Sequence, residues 1–359
     1  MLEHLSIAGV RNLSDVQVAL PSGACALYGA NGSGKTSFLE AIHLLGVGRS
    51  FRTHQSKPVI QHDKDFCRVV GRVGSAGHMV TMGLEKHRDG GVRARVAGQN
   101  APSLSELAQK LPLIVLDTDA LGVVTGPPEG RRRLLDGTLF HVEQGFLSLW
   151  KRYAKAVRQR NSGLRRGIIN SDAAWRSELA QTGEQLTAAR AGAASELAEE
   201  LAALAPTISS DLAAVQVMFR PGWDRSVTLS EALERSAVSD ATQGFTQIGP
   251  HRADLRFMVE GVAAADLLSR GQMKLLVVAL KLVQGRLIER AAAQAPVYLV
   301  DDLPAELDKR HCASVCSQLA SGRQVVLTAV DRGSLETAWG NESLQLFHVE
   351  QGCVTACRA

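Results

Sequence analysis

Residues 29 to 36 read Gly-Ala-Asn-Gly-Ser-Gly-Lys-Thr, the GxxxxGK(S/T) spacing of a phosphate-binding loop. An apolar run, Ala24 to Tyr28, precedes the string, and Phe38, Ala41, Ile42 and Leu45 follow at helical spacing. A strand therefore delivers the chain into a glycine turn whose N–H groups face inward, and the next helix adds the positive end of its dipole. Gly29, Ala30, Asn31, Gly32, Ser33 and Gly34 form the cradle, with Ser37 beside it. Lys35 is placed to reach the β/γ-phosphates and to act in catalysis, and the Thr36 hydroxyl to ligate Mg²⁺. The expected ligand is a nucleoside triphosphate, and the expected fold is of the α/β class.

The 359 residues suffice for two or three domains, and 45% hydrophobic content supports sizeable cores. A net charge of +4 permits a polyanionic partner without demanding one. Aromatic content of 4% argues against a surface of stacked bases, so nucleic-acid contact would be mainly to phosphates. Six cysteines (25, 67, 312, 316, 353 and 357) suggest no disulfide framework, which fits a reducing cytosol. The Cys312/Cys316 and Cys353/Cys357 pairs do not follow zinc spacing and read as packing residues. The first residues carry Glu3 and His4 without a long apolar core, and no run approaches a membrane span, so a cytoplasmic protein is expected.

Up to about Val124, short apolar runs alternate with turns, at 2–9, 16–20, 24–28, 68–73, 78–84, 92–97 and 113–116. They predict antiparallel hairpins beside a nucleotide-binding core. After Gly126-Pro127-Pro128 the pattern turns helical. Phe146, Leu149, Trp150, Tyr153 and Val157 make one apolar stripe, and a later stretch carries Leu179, Leu186, Leu197, Leu201 and Leu204 before Pro206 ends it. Strand–helix alternation returns near Gln247, with a long helix over 272–288, strands at 297–300 and 325–330, and a closing hairpin. The expected division is a discontinuous core, 1–125 and 245–359, with a mostly α-helical lobe over 126–244 inserted between its halves.

Two further strings bear on chemistry. Pro296 to Val300 is an apolar strand ending in Asp301 and Asp302, where ligands bind in α/β sheets. Asp301 is placed to hold the Mg²⁺ shell, and Asp302 to orient or deprotonate the attacking water. The plainer alternative is a strand end with two solvated acids. Ser269, Arg270, Gly271 and Gln272 open the long helix, where Ser and Gly form an anion-binding cap. Taken alone, they are an ordinary serine cap.

The order phosphate loop, Ser-x-Gly-Gln, acidic strand resembles the Walker A, signature and Walker B elements of ABC-type ATPase heads. Pro304-Ala305-Glu306-Leu307-Asp308 resembles a D-loop. Adding Val10-Arg11-Asn12, Gly48 to Arg52, Arg131 to Asp136, Gly249 to Leu255 and Leu268 to Lys274, the set resembles the RecF family of bacterial recombination proteins over essentially the whole chain. The resemblance implies an ABC-type P-loop ATPase head, a mixed sheet core with an antiparallel β subdomain, related to SMC heads but without their coiled coils. It implies ATP and Mg²⁺, slow hydrolysis, an ATP-dependent homodimer in which Ser269 to Gln272 act in trans, and DNA, RecR and RecO as partners in loading recombinase at single-strand gaps and stalled forks. Three departures stand out. Asp302 replaces the Glu of many ABC heads, Thr328 stands near the position of a switch His, and no coupling glutamine is evident over 113–119.

Lys151, Lys155, Arg158 and Arg165 fall at i, i+4, i+7 and i+14 and would form a basic stripe opposite the apolar one. Arg131 to Arg133, Arg160 and Arg166 would add charge nearby. The bland reading is a solvated face, and some of these arginines, Arg270 first, suit a dimer interface. Rival functions are a nucleotide-binding subunit of a membrane transporter and a P-loop kinase. The long separation of Lys35 from Ser269 argues against the first, and Ser269 with the D-loop string against the second.

Overall fold

The computed structural model describes residues 1–53, 55–75, 78–117, 120–168, 172–291, 294–320 and 322–357. Contacts divide the chain into two compact units, Met1–Thr118 with Ile288–Ala359, and Asp119–Leu287.

The first unit opens with β1 (Leu2–Val10) and β2 (Leu13–Ala19), which bury alternate residues, and then β3 (Ala24–Tyr28), almost wholly buried. That change from period two to a continuous apolar run separates a one-sided antiparallel sheet from a central parallel one. α1 (Lys35–Val47) buries ten of its 13 residues, as a helix packed on all sides must. β4 (Phe66–Ser75), β5 (His78–His87), β6 (Val92–Val96) and β7 (Gln99–Asn100) extend the antiparallel ladder, and α2 (Leu104–Lys110) leads to β8 (Leu113–Leu116).

The second unit holds α3 (Gly122–Thr125), α4 (Pro128–Val142), α5 (Phe146–Arg165) and α6 (Asp172–Ile208). There follow β9 (Val215–Arg220), α7 (Leu229–Gln243), β10 (Asp254–Val259), β11 (Val262–Ala263), α8 (Ala264–Leu267) and α9 (Arg270–Ala291), whose last residues re-enter the first unit. The first unit then closes with β12 (Val297–Val300), α10 (Leu303–Glu306), α11 (Lys309–Leu319), β13 (Val325–Ala329), α12 (Arg332–Trp339), β14 (Leu344–Glu350) and β15 (Cys353–Ala356).

In the first unit the antiparallel sheet runs β2-β1-β4-β5-β6-β7, and the second sheet runs β15-β14-β3-β13-β12-β8. All neighbours in the latter are parallel except the β14–β15 hairpin. The inner faces of the two sheets and α1 share one core, with Leu5, Ile7, Phe38, Ile42, Leu299 and Val326 closed to solvent. Gln324 ties the sheets together. Its amide donates to Leu2 O at 2.6 Å and Pro21 O at 2.8 Å and accepts from Leu2 N at 2.7 Å, so no part of this buried group is wasted.

Three sequence expectations are modified. The compact units divide at points other than 125 and 245, because β10 pairs with β9 and Arg131 of α4 reaches Asp254 at 2.8 Å, which keeps residues 245–287 with the helices. Pro206 does not end its helix. It sits inside the last turn of α6, which runs on to Ile208 with one intrahelical bond fewer, the one a residue 206 N–H would make to the carbonyl four residues earlier. Trp150 is 39% exposed, at the rim of the apolar stripe of α5, while Phe146 and Tyr153 are buried.

Candidate functional site

The phosphate loop hangs between the end of β3 and the start of α1, and glycine is demanded there by space as well as by φ. At Gly29 (φ 156°) a Cβ would lie 2.1 Å from the Val349 carbonyl oxygen, and at Gly34 (φ 124°) 2.9 Å from Leu13 Cδ2. Neighbours fix the loop. Asn12 donates to Gly32 O at 3.0 Å and accepts from Ser37 Oγ at 2.9 Å, and Gly352 N donates to Ser33 O at 2.8 Å. The Lys35 ammonium folds back onto Gly29 O at 2.7 Å and Ala30 O at 3.0 Å. Burial lowers its pKa, against the pull of Asp302 and Asp301.

β13 lies between β3 and β12 in the parallel sheet, so the end of β13 stands between the loop and the acidic strand. Asp301 Oδ1 accepts from Thr36 Oγ1 at 3.0 Å and from Thr328 Oγ1 at 2.8 Å. Thr328 Oγ1 in turn accepts the Asp302 N–H at 2.9 Å. Asp302 caps α10 in the left-handed region (φ 45°, ψ 41°). Burial pushes its carboxyl pKa up, opposed by Lys35 and reinforced by Asp301. The structure thus brings together Lys35, Thr36, Asp301 and Asp302 as the sequence expected.

The residues fit a triphosphate with a divalent cation. Ser33 Oγ and Asp302 Oδ1 are buried without a hydrogen-bond partner in the described structure, which marks groups made for a partner the chain does not supply. Lys35 supplies positive charge, and Thr36 with Asp301 an oxygen pair of the kind Mg²⁺ prefers.

Several family strings resolve into scaffolding. Arg11 makes a two-bond ion pair with Glu40 of α1 (2.8 and 2.9 Å), and Ser50 donates to the same carboxylate, tying Val10-Arg11-Asn12 to Gly48 to Arg52. In the second unit Arg190 holds Asp136 through two bonds (2.7 and 2.8 Å) and donates to Pro250 O at 2.7 Å. Arg132 donates to Ala253 O at 2.8 Å. Asp308 of the D-loop string caps α11, accepting from His311 N at 3.0 Å.

Ser269 to Gln272 lie in the second unit, where Ser269, Arg270 and Gly271 are exposed. Ser269 and Gln272 form a reciprocal cap. Gln272 N donates to Ser269 Oγ at 3.3 Å, and Ser269 N to Gln272 Oε1 at 2.8 Å. Of the stretch 113–119, residues 118 and 119 lie outside the described residues.

Lys151, Lys155, Arg158 and Arg165 all lie on the continuous helix α5, exposed and without an ion pair among the described residues. Two arginines expected to add to that surface do not. Arg160 is 1% exposed, and Arg131 is buried against Asp254. Sequence reading missed another basic surface. On the antiparallel sheet, Arg68, Arg93 and Arg95 are exposed around a shallow trough of about 350 Å³ lined also by Val70, Gly83 and Glu85, which pairs with Arg68 at 2.6 Å, and Arg72 is exposed on the same strand as Arg68. The signal was there, as arginines two or four residues apart within β4 and β6. The grip of Asn12 on the loop was also missed; its position relative to the loop is a tertiary fact.

A family model described as RecF/RecN/SMC N terminal domain matches residues 1–355. The chain is 43% identical over 366 residues to the DNA replication and repair protein RecF of Pseudomonas fluorescens, covering 99% of this chain and 98% of that one. It is also 43% identical over 365 residues to the RecF of Azotobacter vinelandii, with 99% and 98% covered. A solved structure of "the recombination mediator protein RecF-ATP in RecFOR pathway" superposes with a TM-score of 0.87 at 23% identity, covering 99% of this chain and 97% of that one. A Pyrococcus furiosus Smc head domain superposes with a TM-score of 0.60 at 14% identity, covering 99% and 95%. These likenesses establish an α/β head of the RecF and SMC type.

Proposed function

The chain belongs to the RecF family of DNA replication and repair proteins, and from that membership we propose an ATP-gated DNA-binding protein of recombinational repair. The observation that carries the reading is the chain of hydroxyls and carboxylates from Thr36 through Asp301 and Thr328 to Asp302 beside the phosphate loop. In this reading the Gly29–Ser37 loop holds ATP, Thr36 and Asp301 hold Mg²⁺, and Asp302 orients the water that attacks the γ-phosphate. The Ser269–Gln272 cap completes the site of a second copy, so ATP joins two heads and slow, DNA-stimulated hydrolysis separates them. The discontinuous unit is the ATPase core and the helical unit its second lobe. The partners are DNA at single-strand gaps, RecR and RecO, in a cytoplasmic, nucleoid-associated setting.

Two surfaces supply positive charge to DNA phosphates: the α5 stripe and the sheet face around Arg93 and Arg95. A transporter subunit has no support. The relatives this chain matches over almost their whole length are repair proteins.

Sedimentation with and without ATP and a gapped duplex tests the reading. Asp302→Asn is expected to bind ATP and accumulate as a dimer. A monomer at saturating ATP would sink the trans-site mechanism. Charge reversal of Lys155 with Arg158, and separately of Arg93 with Arg95, should each lower the salt slope of DNA binding by roughly two ions. An unchanged slope in both would remove these surfaces from the reading.

A further inference from the structure

The end of β13 carries a hydroxyl that belongs to this chain of bonds but to which the nucleotide reading assigns no role of its own. Thr328 is 1% exposed, in a strand whose five residues are all buried, and its single hydroxyl makes two bonds at once. It donates to Asp301 Oδ1 at 2.8 Å and accepts the Asp302 N–H at 2.9 Å. We propose that Thr328 is the positioning residue that sets both aspartates of the hydrolytic site, one through its carboxylate and the other through its backbone. The proposal rests on the ATPase reading of the same site.

The backbone half of the clamp is the less obvious. Asp302 turns the chain from β12 into α10 in the left-handed region, a conformation that is unfavourable for a non-glycine residue. Surrounding structure must hold it there, and the bond from its N–H to Thr328 does so across two strands. That conformation places the carboxylate with Oδ1 buried and unpartnered, within the electrostatic reach of Lys35. Were the turn to relax, the carboxylate would leave its place although no side-chain contact to Asp302 itself had been cut. The carboxylate half is simpler. Asp301 Oδ1 takes two hydroxyl donors, and Thr36 is the one a cation would also claim. Thr328 has no such second duty, so it is the donor that keeps Asp301 oriented in either condition. An imidazole could not do this work as one atom, because a hydroxyl oxygen donates and accepts at once while each ring nitrogen does one or the other.

The test compares Thr328→Val with Thr328→Ser. Valine keeps the shape and removes both bonds, whereas serine keeps the hydroxyl. In the nucleotide-free protein, hydrogen exchange at the Asp302 amide should rise about tenfold or more in the valine variant and stay near wild type in the serine variant. With ATP, kcat should fall roughly tenfold to a hundredfold in the valine variant, the nucleotide KM should move less than about threefold, and serine should restore kcat. Unchanged exchange at Asp302, or a loss of kcat that serine fails to restore, overturns the clamp. A wild-type protein that hydrolyses no ATP would instead overturn the ATPase reading, with the exchange comparison still deciding the clamp.

Discussion

Arg160 illustrates how a charged residue can be a core residue. Its guanidinium reaches Asp172 at 2.8 Å, Asp240 at 2.6 Å and Thr246 Oγ1 at 3.0 Å, all buried, joining α5, α6 and α7. Removing the guanidinium leaves Asp240 charged in a low-dielectric interior without its ion-pair partner, while Asp172 keeps Arg176 at 2.7 Å. Arg160→Met is therefore expected to destabilise the protein by about 3–5 kcal/mol. Chemical denaturation followed in the helical unit measures it. A change below about 1 kcal/mol would mean that water replaces the guanidinium. The sequence did contain the signal. Phe146, Tyr153 and Arg160 are spaced by seven, so Arg160 falls on the buried side of α5, opposite Lys151, Lys155 and Arg158. Charge type alone placed it on the surface; helical phase places it in the core.

At the scale of elements, the start of α9 joins a structural role to a proposed functional one, and magnitude separates them. Ser269 caps the helix reciprocally with Gln272, and Gln272 is held by Asp211 at 2.9 Å. As a cap alone, Ser269→Ala should cost about 1 kcal/mol of stability. If Ser269 also grips the γ-phosphate of a second copy, ATP-driven pairing should weaken by at least roughly tenfold while ATP binding by the monomer is unchanged. Sedimentation against ATP concentration reads the pairing, and pairing that weakens no more than the stability would leave only the cap. Elements were the part of this molecule most open to reading. Apart from the two-residue, exposed β7, the strands of the first unit fall where period-two alternation or short apolar runs placed them, because a buried strand leaves its register in sequence. The phosphate loop and the acidic strand were legible for the same reason, each being local. The placement of β13 between β3 and β12, the grip of Asn12 on the loop and the short sheet β11-β10-β9 within a helical unit were not. Each depends on which distant segments meet, and no local pattern encodes that.

Across the whole molecule, proton linkage should separate the two units. His141 and His251 both lie in the second unit, and burial pulls each pKa down from 6.5 to about 4. His251 is committed to its neutral form by geometry as well. Nδ1 accepts the Tyr153 hydroxyl at 2.7 Å and Nε2–H donates to Thr246 O at 3.0 Å, while Arg252 and Arg132 oppose a further positive charge. Between pH 6.5 and 4 the unfolded chain binds protons at these sites that the folded chain refuses, so stability rises with pH across that window. The stabilisation is complete above about pH 6.5 and is lost as pH falls towards 4. At about 1.4 kcal/mol for each pH unit of the gap, each histidine contributes at most roughly 3 kcal/mol. Glutamine at 251 can still donate and accept but takes no proton, so His251→Gln should remove about half of the acid slope. The measurement is hydrogen exchange of α4 to α7 at pH 7 and pH 5, with β3, β12 and β13 as the internal reference. Acid should loosen the helices first in the wild type and less in the variant. Equal loosening of both units, or a variant with the wild-type slope, would show that other groups carry the acid response.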